Sequence, residues 1–338
     1  MKPYPFATVA CFDPTCGDLP RRSLDGPRLA QFLQRLAEAG AESVLIGAST
    51  GQGHLRTAEE LEEFFRLAAD QSLPGVQRMG LIRPEDGTAT CTEHLDLLKD
   101  LSYDVVFLRP GTDLPDDASD ETVAESLRPL VQHAAKLGFP VGLYSISDVS
   151  GLPLTAGAAA HLVEGDAGES VVAIKVTEAD YATSTQTFFE HPALSELRIV
   201  QGWDPFLARA LRDGDDGNSQ RGGVTSGPMS FAIYQYAHIL QSAQAADWEE
   251  VGLAQQAVTS LFESMQDDPR RFADLQRAKY IMGLGHPIVG EVTQQQAERV
   301  LVAVHDLPRE EDRIRMARSL DLMQDGPFHD RLAELAAG

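Results

Sequence analysis

Short apolar runs rich in valine, isoleucine, leucine and phenylalanine recur along the first two thirds of the chain. Each run is nearly continuous rather than alternating, and a longer stretch of mixed polarity follows it. Continuous apolar runs of this length are typical of strands that are buried on both faces of a sheet. Eight such strands are predicted, at 6–12, 43–48, 77–83, 104–110, 140–146, 170–176, 197–203 and 222–227.

Amphipathic segments lie between these runs. In 26–40 and 57–70, for example, apolar residues recur at intervals of three and four, as in a helix that packs one face on a sheet. Strands that alternate with helices pair in parallel, and eight such units predict a closed (β/α)8 barrel, the TIM-barrel fold. The alternative is a doubly wound open sheet, which usually has fewer strands and a glycine fingerprint at its switch point.

The pattern changes near residue 231, where strand signals stop and about three helices are predicted, at 231–266, 269–285 and 293–307. We therefore predict two domains: a barrel over residues 1–230 that carries the active site, and a C-terminal helical extension over 231–338 that packs on it. The polar stretch 212–223 is the clearest candidate for a flexible insertion. Its aspartates and glycines do not match the ligand spacing of a calcium loop.

Charge and composition restrict the possible partners. With 28 Lys and Arg against 51 Asp and Glu, the formal net charge is -23, so a nucleic acid or an anionic membrane would be repelled. No signal peptide or membrane span is visible, which favours a cytoplasmic protein. We expect Cys11, Cys16 and Cys91 to be reduced thiols. The nine histidines show no metal-ligand spacing, so we predict neither a metal nor another cofactor.

The segment VVAIKVTEAD, residues 171–180, places Lys175 inside an apolar run. Burying an ammonium group costs several kcal/mol unless the group is paired or loses its proton. The other lysines, Lys2, Lys99, Lys136 and Lys279, occur in polar or helical contexts from which we expect them to reach water. Two interpretations of Lys175 are open: a neutral amine at a reactive site, or a barrel lysine that pairs with a neighbouring carboxylate.

Residues at the C-terminal ends of the strands face the active site of such a barrel. Lys175 lies near the end of the sixth predicted strand, Tyr144 near the end of the fifth, and the loop GASTGQG (47–53) follows the second. A desolvated lysine whose pKa falls by up to roughly 3 to 5 units can attack a ketone and form a Schiff base. Tyr144 and Ser49 can then move protons, and the loop N–H groups with Thr50 can hold a carboxylate.

Each of these pieces taken alone also fits a structural role. A strand tyrosine is often a core residue, and the glycine-rich loop has neither the lysine of a P-loop nor the spacing of a dinucleotide fingerprint. The combination at the ends of strands two, five and six is what favours imine chemistry.

The Gly-x-Ser-Thr-Gly turn, the strand-five tyrosine and the strand-six lysine 31 positions later (175 minus 144) together resemble the N-acetylneuraminate lyase and dihydrodipicolinate synthase family of class I, Schiff-base-forming aldolases. The resemblance covers about residues 5–305. It also implies a homo-oligomer, a dimer or a tetramer. It assigns roles to seven residues: Lys175 as the imine lysine, Tyr144 as the proton shuttle, Ser49, Thr50 and Gly51 as the carboxylate-binding and relay turn, and Gly202 and Thr225 as neighbours of the substrate on strands seven and eight.

The chain departs from the family pattern at several positions. Gln52 stands where the family usually has glutamate, and YSISDVSG replaces the Tyr-Asn-x-Pro form. Val149 occupies the place of the arginine that dihydrodipicolinate synthases keep for aspartate semialdehyde, which argues against that substrate. The end of strand four reads RPGTD, without the Pro-Tyr-Tyr that lends a tyrosine across a subunit interface, and Thr112 is a candidate replacement for that hydroxyl.

Three residues at the ends of strands four and seven are candidates for a distal pocket. Arg109 offers a cation to a second carboxylate or to a hydroxyl-rich tail, and Trp203 and Asp204 are expected to line the same pocket. The alternative for Arg109 is a salt bridge within the barrel rim.

The sequence therefore predicts a lyase whose small-molecule substrate is pyruvate or a 2-keto-3-deoxy acid, with reversible aldol cleavage through an imine on Lys175. One alternative is dehydration of a keto-deoxy sugar acid through the same imine. Others are a catalytically weak homologue that binds a 2-oxo acid, and a barrel enzyme in which Lys175 is only structural.

Overall fold

The computed structural model describes residues 4–17, 20–268 and 272–338. Its strands form one closed parallel barrel in sequence order, which confirms the predicted (β/α)8 fold and all eight predicted strands. The strands are β1 Ala7–Ala10, β2 Ser43–Ile46, β3 Gln77–Ile82, β4 Val105–Leu108, β5 Val141–Ser145, β6 Val171–Val176, β7 Arg198–Gln201 and β8 Gly222–Ser226.

Helices follow the strands and continue beyond the barrel. Those in the described part of the chain are α1 Gly26–Glu38, α2 Ala58–Ala69, α3 Thr88–Asp100, α4 Asp120–Lys136, α5 Ser147–Ser150, α6 Ala156–Val163, α7 Thr185–Glu190, α8 Leu207–Asp213, α9 Ile233–Gln244, α10 Trp248–Met265, α11 Gln276–Ile281, α12 Gln294–His305, α13 Glu310–Leu320 and α14 His329–Ala336. None of these helices combines the length and apolarity that a bilayer crossing requires.

Local sequence explains where these elements begin and why they pack. The strands are buried along almost their whole length, as continuous apolar runs require. Asp25 caps the N-terminus of α1, where its side chain accepts from Arg28 N, and α2 begins with a capping box between Thr57 and Glu60. These caps satisfy N–H groups that have no partner within the helix.

The described residues form two compact units. The first comprises 4–8, 42–47 and 77–225, and it contains β2 to β8. Its interior holds a chain of buried hydroxyls, in which Tyr4 Oη lies 2.9 Å from Thr225 Oγ1 and 3.2 Å from Thr8 Oγ1. Thr8 Oγ1 in turn lies 2.6 Å from Ser43 Oγ. Polar groups inside the barrel are thus paired with one another, as burial demands.

The second unit comprises 9–41, 48–76 and 226–338, with α1, α2 and α9 to α14. In its core Asp13 accepts hydrogen bonds from Arg56 and, at 2.9 Å, from Lys279 Nζ. The expectation that Lys279 reaches water is wrong, because its side chain is fully buried. An apolar environment tolerates this ammonium because Asp13 compensates its charge. Lys99 and Lys136 are exposed as expected, and Lys2 lies outside the described residues.

Three further predictions can be compared with the elements after residue 200. In the described part of the chain after Phe231 there are six helices rather than about three. Ala246, with φ of 57°, separates α9 from α10, and the charged sequence of α13 and α14 conceals their apolar faces. The stretch 212–223 contains the end of α8, a turn closed by an Asp215–Gln220 bridge, and the first residues of β8. The domain boundary at 230 remains a prediction.

Candidate active site

Lys175 lies inside the first unit on β6, and its side chain is 3% exposed. It is the register partner of Tyr144 on β5, and its Nζ lies 4.1 Å from the centre of the Tyr144 ring. Burial lowers the pKa of Lys175 from 10.5 to about 7, while the charge of Asp204 acts in the opposite direction. At neutral pH a large fraction of this amine is therefore unprotonated and nucleophilic.

The space around Lys175 depends on a glycine. A Cβ at Gly202 would lie 3.0 Å from Lys175 Cε and 2.2 Å from Thr177 Oγ1. Gly202 therefore lies beside Lys175 and Thr177, and a side chain at this position would have to displace Thr177 and would crowd the lysine. Thr177 Oγ1 is buried and has no hydrogen-bond partner in the structure. Sequence analysis missed this hydroxyl, although Thr177 follows Lys175 by two positions and so shares its face of the strand.

The turn after β5 is fixed by Glu178, which follows β6 and was not predicted. Its Oε1 accepts from Ser145 Oγ at 2.6 Å and from Ser147 N at 2.9 Å, and its Oε2 accepts from Ser147 Oγ. Ser145 and Ser147 occupy the positions where the Tyr-Asn-x-Pro pattern has asparagine and proline. A buried carboxylate thus holds the end of the strand that carries Tyr144.

The predicted residues on β7 and β8 have different surroundings. The Thr225 hydroxyl is hydrogen-bonded to Tyr4 within the barrel, and its backbone oxygen lies 3.2 Å from a Cβ built at Gly202. Trp203 and Asp204 follow Gly202 at the end of β7; Trp203 is half-buried and Asp204 is buried. The charge of Asp204 acts on Lys175, so both belong to one electrostatic site.

Arg109 is buried directly after β4, with 1% of its side chain exposed. It donates to Glu85 Oε1 and, at 3.1 Å, to the Pro110 carbonyl. The salt bridge that was the alternative interpretation is therefore present. Glu85 was not predicted, although its place in the turn after β3 is where a barrel carries functional groups.

The Ser-Thr-Gly turn lies in the second unit, where Ser49, Thr50 and Gly51 form a buried 3-10 turn. A Cβ at Gly51 would lie 2.7 Å from the Cys11 carbonyl, so close packing requires this glycine. Gln52 has φ of 51°, and its Oε1 accepts from Ile288 N at 2.7 Å.

Two backbone amides of the loop 47–53 are used within the loop. The Gln52 N–H donates to Ser49 O at 3.0 Å and the Gly53 N–H to Ala48 O at 3.1 Å, so these two amides hold the loop itself. Within the described ranges, no three His, Cys, Asp or Glu side chains are placed to hold a metal ion. The three cysteines are free thiols.

Comparison with known proteins gives curated relatives that include N-acetylneuraminate lyases. The N-acetylneuraminate lyases of Escherichia fergusonii and of Escherichia coli K12 / DH10B are each 25% identical to this chain over 200 residues. The alignment covers 58% of this chain and 63% of the lyase, which is slightly less than two thirds of the relative's length. No protein-family model matches.

Solved structures share the fold over most of the chain. A dihydrodipicolinate synthase from Bacillus anthracis has a TM-score of 0.74 at 17% identity, covering 91% of this chain and 100% of its own. A prophage protein of the dihydrodipicolinic acid synthase family from Escherichia coli K12, solved with pyruvate, has a TM-score of 0.76 at 18% identity, covering 89% and 97%. A variant of the Sulfolobus solfataricus 2-keto-3-deoxygluconate aldolase has a TM-score of 0.72 at 15% identity, covering 89% and 95%. These relatives and structural neighbours support the N-acetylneuraminate lyase and dihydrodipicolinate synthase family, the one that the sequence motifs resemble.

Proposed function

We propose that the protein is a class I lyase that forms an imine between Lys175 and pyruvate or a 2-keto-3-deoxy acid. The observation that carries the proposal is the buried Lys175 amine, with its pKa lowered to about 7 and its Nζ 4.1 Å from the Tyr144 ring centre. A merely structural lysine would keep its charge and pair with a carboxylate, as Lys279 pairs with Asp13.

The chemistry follows from these two side chains. The neutral Lys175 amine attacks the C2 carbonyl, and loss of water from the carbinolamine gives a protonated imine. The imine accepts the electron pair of the C3–C4 bond when that bond breaks, which releases an aldehyde and leaves an enamine of pyruvate. Tyr144 moves the protons that these steps require, and water then hydrolyses the imine to release pyruvate.

The other residues are assigned to binding. By its motif the Ser49, Thr50 and Gly51 turn binds the substrate carboxylate, and this role is a proposal from the resemblance. Gly202 supplies the space in which the Lys175 side chain meets the substrate, and the unpaired Thr177 hydroxyl supplies a hydrogen bond close to the imine. We assign Trp203, which follows Gly202 in the chain, to the same pocket.

Aldol cleavage is favoured over the alternatives. The relatives and neighbours bear the names of lyases, synthases and aldolases, and one neighbour was solved with pyruvate. Dehydration by the same imine and binding without turnover have no comparable support.

We also propose that the protein works in the cytoplasm as a homodimer or homotetramer. The free cysteines suit a reducing compartment, and the oligomer is an inference from the family resemblance. Light scattering coupled to size-exclusion chromatography measures the oligomeric mass directly.

Borohydride trapping tests the proposed function. Intact-protein mass spectrometry after treatment with pyruvate and sodium borohydride should show a reduced adduct in the wild type and in Lys99→Ala, and none in Lys175→Ala or without pyruvate. Lys99 is a matched control because it is exposed. The trapping rate should rise with pH through about 7, since the neutral amine is the nucleophile. No adduct with pyruvate or other 2-oxo acids would refute the proposal.

A further inference from the structure

The ion pair between Arg109 and Glu85 lies at the ends of β4 and β3, on the face of the barrel where TIM-barrel enzymes carry their active-site residues. Both residues belong to the first unit, together with Lys175 and Tyr144. Arg109 is almost fully buried, whereas 21% of the Glu85 side chain is exposed. The pair is therefore not wholly enclosed, because part of the Glu85 side chain reaches the surface.

Strand register places Arg109 next to the proposed imine site. Leu108 on β4 pairs with Leu143 on β5, so Arg109 lies level with Tyr144, which pairs with Lys175 on β6. Phe107, two residues before Arg109, contacts the interior residue Tyr4 through its ring. Because side chains alternate along a strand, Arg109 extends to the interior side as Phe107 does.

The charges around Arg109 are balanced. Arg83, at the end of β3, donates twice to Asp86, and its Nε lies 3.9 Å from Glu85 Oε1. Two guanidinium groups and two carboxylates thus form one cluster whose formal charge is zero. A second carboxylate or a phosphate on the substrate would have to compete with Glu85 for Arg109.

One atom of the cluster lacks a partner. Glu85 Oε2 is buried and has no hydrogen bond in the structure. Leaving a charged acceptor buried and unpaired is costly, and a hydroxyl or N–H donor would satisfy it. The cluster therefore offers an acceptor to the substrate, rather than a free cation.

We propose that Glu85 and Arg109 form the subsite for an uncharged, hydroxylated tail of the keto-acid substrate. Glu85 Oε2 accepts a hydrogen bond from a tail hydroxyl, Arg109 holds Glu85 in place, and the Glu85 charge disfavours a phosphorylated or carboxylated tail. This inference rests on the proposed function and specifies its substrate class.

The test compares 2-keto-3-deoxygluconate with its 6-phosphate. The readout is the concentration of each acid that gives half-maximal borohydride trapping, which requires imine formation but no turnover. In the wild type the concentration that gives half-maximal trapping should be about tenfold lower for 2-keto-3-deoxygluconate than for its 6-phosphate. A factor of this size is the effect of one hydrogen bond to a charged group. Glu85→Gln, which keeps the shape but removes the charge, should bring the two concentrations close together or reverse their order. Glu93→Gln, on the exposed face of α3, should behave as the wild type.

Failure of this inference can be distinguished from failure of the proposed function. Pyruvate has no tail, so its trapping should be equal in the wild type and in Glu85→Gln. If pyruvate is trapped but the wild type prefers the phosphorylated acid, or if Glu85→Gln leaves the ratio unchanged, the subsite is refuted and the lyase stands. If Glu85→Gln does not fold, the ratio of the two half-maximal concentrations in the wild type decides whether the subsite prefers the uncharged tail. If pyruvate is not trapped, the proposed function itself fails.

Discussion

At the scale of single residues, the two buried lysines have different surroundings. Lys279 donates to Asp13, whereas Lys175 lies over the Tyr144 ring and has the charge of Asp204 in its vicinity. Burial lowers the pKa of both side chains. In Lys279 a direct ion pair opposes the shift, and this contrast is why we assign the chemistry to Lys175.

Replacing Lys175 by methionine should stabilise the protein in a pH-dependent way. The folded pKa is about 7 and the ordinary value is 10.5, so the unfolded state binds more protons between these values and stability rises with pH there. The cost of burying Lys175 is thus fully present below pH 7 and lost above about pH 10.5. We expect Lys175→Met to raise the Tm at about pH 6 by about 2 °C or more, and by less at about pH 9. An equal difference at both pH values, or any shift in Lys99→Met, would contradict this.

Adding one methyl group at position 202 should disturb the lysine without unfolding the chain. In Gly202→Ala the new Cβ meets Thr177 Oγ1 and Lys175 Cε, and a displacement of the reacting amine should slow trapping by about tenfold or more. The control is Gly252→Ala, where no heavy atom lies within 4 Å of the new Cβ. Trapping rates with pyruvate measure the effect, and an unchanged rate would show that the added methyl group does not displace the reacting amine.

At the scale of elements, short turns are held by side chains from distant segments. Within the second unit Gln276 Nε2, on α11, donates to the Thr50 carbonyl at 3.2 Å, and Gln52 accepts from Ile288 N. The Ser-Thr-Gly turn therefore depends on residues 276–288 for its conformation. In the first unit, Glu178 holds the turn after β5 in the same way.

Removing the amide of Gln276 should weaken substrate binding more than the chemistry. Gln276→Leu keeps the approximate size but loses the donor to Thr50 O, so the Ser-Thr-Gly turn, which we propose binds the carboxylate, is no longer fixed. We expect the KM for the keto acid to rise about fivefold to tenfold, which is the size expected from the loss of one net hydrogen bond. The change in kcat should be smaller. Gln241→Leu on the exposed face of α9 is the control. A fall in kcat with unchanged KM would be inconsistent with this positioning role.

At the scale of the whole molecule, a buried charge cluster joins positions far apart in sequence. Asp13, which follows β1, binds Arg56 before α2 and Lys279 on α11. Asp13 and Lys279 are fully buried, and so is the Arg56 side chain. The carboxylate is the group that makes two buried cations tolerable in the core of the second unit.

The variant Asp13→Asn should therefore be strongly destabilised. It leaves two cations beside a neutral amide, and we expect the free energy of unfolding in urea to fall by about 3 kcal/mol or more. Asp306→Asn on the surface should change it by less than about 0.5 kcal/mol. The double variant Asp13→Asn, Lys279→Met should recover part of the loss. A small effect of Asp13→Asn alone would show that the cluster does not contribute to stability.

The sequence alone determined the barrel and the identity of its central residues. Eight continuous apolar runs are a local property, and parallel strands buried on both faces follow from them; Lys175 and Tyr144 stand out because a polar group in such a run needs a physical reason. Only the tertiary structure decided which charges are paired. Lys279 is predicted from sequence to be a solvent-exposed helix residue until Asp13 is placed against it, and Arg109 fits either a free cation or half of a salt bridge until Glu85 is found beside it. Burial and pairing depend on contacts between residues remote in sequence, and it is these contacts that set the pKa of an amine or the charge of a subsite.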